Sequence, residues 1–133
     1  NAQSMFVVPY LKGKTNIPII FCGVNEQLEK YGYPTPNITG VKEIIHFRES
    51  IAFLQQLVPS VKTIGYLMKD CPTAKGYAQQ LEKESDSYPA KTVAIKLVDT
   101  LKEAKSVAKE LKNQCDALFV EVIEGITDDK GTP

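Results

Sequence analysis

Four apolar, β-rich runs, at residues 17–24, 63–68, 92–98 and 117–123, alternate with segments of helical spacing. This alternation constrains the fold more than any single residue does. Strands separated by helices read as βα units, so the expected class is α/β, a parallel sheet with flanking helices. Open parallel sheets take ligands in the crevice beyond the carboxyl ends of their strands. The loops that follow the four runs are therefore where function is expected.

The run at 17–24 is apolar throughout, with Pro18 near its start, where proline is tolerated. Residues 5–11 before it read as the last turns of a helix that Gly13 stops. Residues 25–40 carry no periodicity and hold Tyr31, Gly32, Tyr33, Pro34, Pro36 and Asn37, so they read as a long functional or linking loop. The clearest helix follows. Ile44, Phe47, Ile51, Leu54 and Val58 recur at three- and four-residue steps until Pro59 ends them. A second helix is expected from Pro72 to about Ser87, burying Ala74, Tyr77, Ala78 and Leu81. The third run alternates enough to suit a place near a sheet edge. Thr100 and Glu103 then form a capping box ahead of the stripe Leu101, Ala104, Val107, Ala108 and Leu111. After the fourth run the chain turns polar without a closing helix, and the sheet is read as unfinished, the chain as a fragment. Asn1 and Ala2 read as a tag scar.

The 133 residues carry 16 lysines and arginines against 16 aspartates and glutamates. That balance argues against a nucleic-acid binder, which needs surplus cations, and equally against electrostatic membrane docking. No apolar run is long enough to cross a bilayer. Cys22, Cys71 and Cys115 lie far apart, and a single histidine is present, so neither a zinc site nor a disulfide framework is expected. Cysteines in or beside strands are expected to be small buried hydrophobes.

Catalytic motifs are mostly missing: there is no Walker loop, no dinucleotide fingerprint and no nucleophile elbow. His46 is read as a solvated or packed side chain on a helix flank. A phosphoacceptor receiver shares the alternation, and Asp70 would mimic its acceptor. However, Asn25 and Glu26 half-match its acid pair and no lysine follows the fourth run. The ordinary role of Asp70 is to start a helix with Pro72 and Thr73. Alternation places Glu121 on the opposite face from Val120 and Val122, so Glu121 and Glu124 could hold an ammonium or hydroxyl, or simply emerge into water. The segment Asn37, Ile38, Thr39, Gly40 has the local character of a turn.

Five segments then appear in a telling order: IPIIFCGVN at 17–25, PNITGV at 36–41, LVPSVK at 57–62, TIGYL at 63–67 and CDALFV at 115–120. Together they resemble the substrate-binding proteins of ABC transporters, in the group that includes aromatic amino-acid binders. The resemblance covers nearly the whole chain. It implies a type I periplasmic-binding-protein fold of two Rossmann-like lobes, with residues 1–40 ending the first lobe and crossing over and residues 41–133 forming most of the second. The crossover motif is matched at Asn37, Thr39 and Gly40. The family's threonine-aspartate-proline is replaced by Asn25, Glu26 and Gln27. Its asparagine-serine is replaced by the neighbourhood of Lys69, Asp70, Cys71 and Thr73, and its aspartate-asparagine by Ile123 and Glu124.

The resemblance implies a non-catalytic, cofactor-free binder of a small polar or amphipathic, amino-acid-like solute. Its expected location is periplasmic or extracellular and membrane-associated, with an ABC permease as partner. The ligand-binding residues expected are Asn25, Glu26, Asn37, Thr39, Gly40, Asp70, Cys71, Thr73, Glu121 and Glu124, with aromatic contacts from Tyr31 or Tyr33. Two copies of a truncated chain would pair through an exposed cleft. The alternative is the extracellular sensor portion of a membrane receptor, such as a histidine kinase or a diguanylate cyclase.

Overall fold

The computed structural model describes residues 8–25, 27–128 and 130–132. Contacts divide the chain into two compact units between Ile45 and His46. The expected runs form parallel strands, but in two separate sheets, one per unit. Of the expected opening helix, residues 8–11 are helical, and residues 5–7 lie outside the described residues.

In the first unit, β1 (Ile19–Val24) pairs in parallel with β2 (Ile38–Lys42), in register from Ile19 opposite Ile38. β2 corrects the expectation of an irregular stretch as far as Gly40. Between the strands, residues Leu28–Tyr31 make one 3-10 turn. One face of the pair is packed: Val8, Phe21, Val24, Tyr33 and Ile38 form its core, with the Phe21 and Tyr33 rings stacked at 4.8 Å. Gly40 stands opposite Phe21, and a Cβ there would overlap the Phe21 carbonyl oxygen and come within 2.6 Å of its ring. The other face is open. Ile20 and Val41 are 76% and 65% exposed, and Cys22 is exposed rather than buried as expected.

The second unit is built around a three-stranded parallel sheet in the order β4-β3-β5. Its strands are β3 (Thr63–Lys69), β4 (Lys91–Val98) and β5 (Ala117–Glu121), so the third run does lie at an edge. Central β3 is buried along its middle five residues, as a strand covered on both faces must be. The helices are α1 (Phe47–Leu57), α2 (Pro72–Glu84) and α3 (Leu101–Leu111).

Phe47, 1% exposed at the start of α1, is the hub of one face. Its ring lies 5.6 Å from Tyr66, 6.0 Å from Tyr77 of α2 and 5.3 Å from Phe119, all edge-on. Such rings contribute beyond the area they bury, by about 0.5–1.5 kcal/mol per pair. On the opposite face Gly65 lets α3 approach, since a Cβ there would meet Leu111 Cδ1 and Cys115 Sγ at 3.1 Å. The helix from Phe47 is shorter than its apolar stripe suggested: Ile44 lies before it and is 54% exposed. α2 ends at Glu84, and residues Ser85–Ser87 continue as a 3-10 turn.

Candidate functional site

Because all three strands of the second unit run in one direction, their carboxyl ends share one edge. Backbone hydrogen bonds lock these ends together. The Lys69 amide donates to the Val122 carbonyl at 2.9 Å and the Asp70 amide to the Val98 carbonyl at 2.9 Å. The segment after β5 folds back onto the β4–α3 junction. There the Leu101 amide donates to the Thr127 carbonyl and the Thr127 amide to the Asp99 carbonyl, at 2.8 and 3.2 Å.

Val122, the first residue past β5, has φ +50. A β-branched residue strongly disfavours this left-handed region, and holding it there costs on the order of 1–3 kcal/mol. The strained turn aims the Val122 carbonyl back at β3. Strain of this kind gathers at sites where the chain must present particular groups.

The side chains at this edge are mostly charged. Lys69 Nζ lies 3.6 Å from Asp99 Oδ1, and Lys75 Nζ lies 2.7 Å from Asp70 Oδ1. The Asp70 carboxylate, by hydrogen bond and charge, raises the Lys75 ammonium above its ordinary value. Glu121 is half-buried opposite Met68, on the face that carries Phe119, and Glu124 is exposed in the turn that follows. Neither glutamate makes an ion pair with a described residue.

The two helices that begin at this edge are finished differently. Thr100 Oγ1 accepts from the Glu103 amide of α3, and the Glu103 carboxylate accepts from the amides of Asp99 and Thr100 at 2.9 and 3.0 Å. Those two amides lower the Glu103 carboxyl below its ordinary value. At α2, Cys71 takes the N-cap position in extended conformation and its side chain makes no capping bond. First-turn amides of a helix seek an acceptor, and here the cap residue leaves them without one from its own side chain.

Asp70, Cys71, Thr73, Glu121 and Glu124 are thus brought to one edge. The residues expected from the first unit are not gathered in the same way. Asn25 follows the carboxyl end of β1, whereas Asn37 precedes β2 at the opposite end of that sheet. The Asn37 amide donates to the Thr15 carbonyl at 3.0 Å and its Oδ1 accepts from Thr35 Oγ1, work that anchors the approach to β1. Thr39 and Gly40 lie within β2. Glu26 is outside the described residues. Tyr33 is 4% exposed in the core, so its ring is committed to packing, and Tyr31 leans on the same cluster. His46 takes the N-cap position of α1, with Nδ1 3.6 Å from Glu49. Asp99 and Val122 also stand at this edge and are not among the expected residues. Asp99 was findable, because it directly follows a strand end.

A model of the ABC transporter substrate-binding proteins matches residues 9–129. The chain belongs to that family. Members of this family are generally non-catalytic, bind a ligand and deliver it to a transporter permease, and typically act in the periplasm or outside the cell. Comparison with curated proteins and with solved structures returns no match. No helix among the described residues is long and apolar enough to cross a membrane.

Proposed function

We propose that the chain binds a small polar, amino-acid-like solute and hands it to an ABC permease without chemical change. On this reading residues 1–40 form the end of a first lobe and its crossover, and residues 41–133 most of a second lobe. The observation that carries this reading is the convergence of Asp70, Cys71, Thr73, Glu121 and Glu124 at the carboxyl edge of β3 and β5. A zwitterion suits this chemistry. Its ammonium would pair with Glu121, which makes no ion pair with a described residue, and its carboxylate would accept from the first-turn amides of α2, whose cap side chain makes no capping bond. Of the residues expected from the first unit, Asn37 and Gly40 are spent on the approach to β1 and on packing against Phe21, and are left out of the proposed set.

A calorimetric screen of the protein against amino acids, nucleosides and small organic acids tests the proposal. The expected result is one-site binding of an amino acid or a close analogue, weakened about tenfold or more by Glu121→Gln, the loss expected for a charge-assisted hydrogen bond. Silence across the whole screen, or turnover of a bound compound, overturns it.

A further inference from the structure

A cleft runs along one flank of α3, and none of the proposed solute-binding residues lines it. It has a volume of about 400 Å³ and is lined by Leu101, Lys102, Lys105, Ser106, Lys109 and Asp128. Five of these residues belong to a single helix face, because positions 101, 102, 105, 106 and 109 are linked by the three- and four-residue steps of one stripe. The volume lies within the range that holds small-molecule ligands, roughly 300–1,000 Å³.

Its charge is what distinguishes it. The chain as a whole is neutral, yet Lys102, Lys105 and Lys109 make no ion pair with any described residue. The acids of α3 that would have neutralised them are engaged elsewhere. Glu103 is held by the amides of Asp99 and Thr100, and Glu110 pairs with Lys96 at 3.4 Å. Lys105 and Lys109 also stand four residues apart, a like-charge spacing that weakens a helix. Asp128, on the far wall, is fixed by accepting from the amides of Lys130 and Thr132 at 2.8 and 2.9 Å. Three cations against one carboxylate leave the cleft with a net positive lining, and Ser106 adds a hydroxyl.

We propose that this cleft binds a small organic anion carrying two or more negative charges, phosphorylated or polycarboxylated. Lys102, Lys105 and Lys109 supply the counter-charge, and Asp128 favours a ligand that also carries a hydroxyl to donate to it. The site is independent of solute binding at the strand ends, since it shares no residue with that site.

Titration calorimetry with inorganic pyrophosphate and with citrate at low ionic strength tests this. Both anions are expected to bind, with affinity falling steeply as added salt screens the lysines. The double variant Lys105→Gln, Lys109→Gln should lose about tenfold or more of that affinity, with its circular dichroism and its solute binding unchanged. Lys83→Gln, which removes a lysine from α2, should bind the anions as the parent does. Absence of binding, binding unaltered in the double variant, or an equal loss in Lys83→Gln would each overturn the proposal. Vesicles of phosphatidylglycerol in phosphatidylcholine separate the two sources of such anions. Lysine-dependent vesicle binding without pyrophosphate or citrate binding would make the cleft a membrane-docking face and would also overturn it.

Discussion

The two ends of the three-stranded sheet are held by different chemistry. At the amino end, the Asp116 carboxylate accepts from the Lys62 amide, the Thr63 amide and Thr63 Oγ1, all within 2.9 Å. The Asp116 amide in turn donates to Thr63, and Gln55 Nε2 donates to the Val61 carbonyl at 2.7 Å. Side chains there are spent on backbone groups, and the result is a closed network. At the carboxyl end Glu103 accepts from backbone amides, but Lys69 pairs with Asp99 and Lys75 with Asp70. Glu121 and Glu124 make no ion pair with a described residue, and Val122 is held in a strained conformation. One end specifies where the strands start. The other leaves charge and strain where the proposed solute would bind. Both rest on the same layer of rings between sheet and helices.

That shared layer gives the largest expected effect. Phe47→Ala removes a buried ring that touches α2, β3 and β5 together, and should lower the unfolding free energy by about 3–5 kcal/mol. Chemical denaturation followed by near- and far-ultraviolet circular dichroism checks it. If the difference between the ends is one of side-chain chemistry and not of separate packing, a single transition is lost. Two transitions would mean that the ends fold independently.

The next effect sharpens the contrast directly. Asp70→Asn and Glu121→Gln should each weaken solute binding by about tenfold while shifting the melting temperature by no more than about 2 °C, the range of ordinary surface changes. A large fall in melting temperature without a change in affinity would make the carboxyl end structural, like the other.

What could be read from the sequence divides along the same line. β3, β4 and α3 were legible because their signals are local: an apolar run between prolines, an alternating run, and a capping box whose two halves the structure forms. β2 was not legible. Pro36, Asn37 and Gly40 read as turn residues, and only the pairing with β1 explains the glycine, whose missing Cβ makes room for Phe21. Cys22 is exposed although a cysteine in a strand reads as a small buried hydrophobe, because the β1–β2 pair is packed on one face only. At the site, Glu121 followed from strand alternation and Asp70 from its place after β3. The pairing of Asp70 with Lys75 and the left-handed turn at Val122 depend on how the strand ends meet, and valine has no preference that would announce such a turn.

At the amino end, Asp116→Asn should lower the melting temperature by a few degrees and leave solute affinity unchanged. The Lys62 amide first, then the Thr63 hydroxyl and amide, hold the Asp116 carboxyl below its ordinary value of 3.8. A depressed folded value means that the ionised group stabilises the fold above 3.8 and that this is lost as pH falls through the lower folded value. Melting curves of parent and variant should therefore differ at neutral pH and converge in acid. A difference that stays constant down the acid limb would separate the effect of the substitution from the carboxylate.

The smallest effect is at alkaline pH, also in the approach to the amino end. Tyr88 precedes β4 and its hydroxyl donates to Glu84 Oε2 at 3.2 Å. Burial first, and then the Glu84 charge, push its phenol from the ordinary 10.0 up to about 12. A raised value favours the protonated ring in the folded chain, so its contribution is complete below pH 10.0 and disappears as pH rises towards about 12. Tyr88→Phe should flatten the fall in stability across that window and remove one late-ionising tyrosine from the phenolate absorbance titration. The glutamate alone can be tested by Glu84→Gln, which should bring the Tyr88 ionisation part of the way back towards 10.0 and leave the rest to burial. A full return would show that charge, and not burial, governs this tyrosine, making it chemically more like the carboxyl end than the network it adjoins.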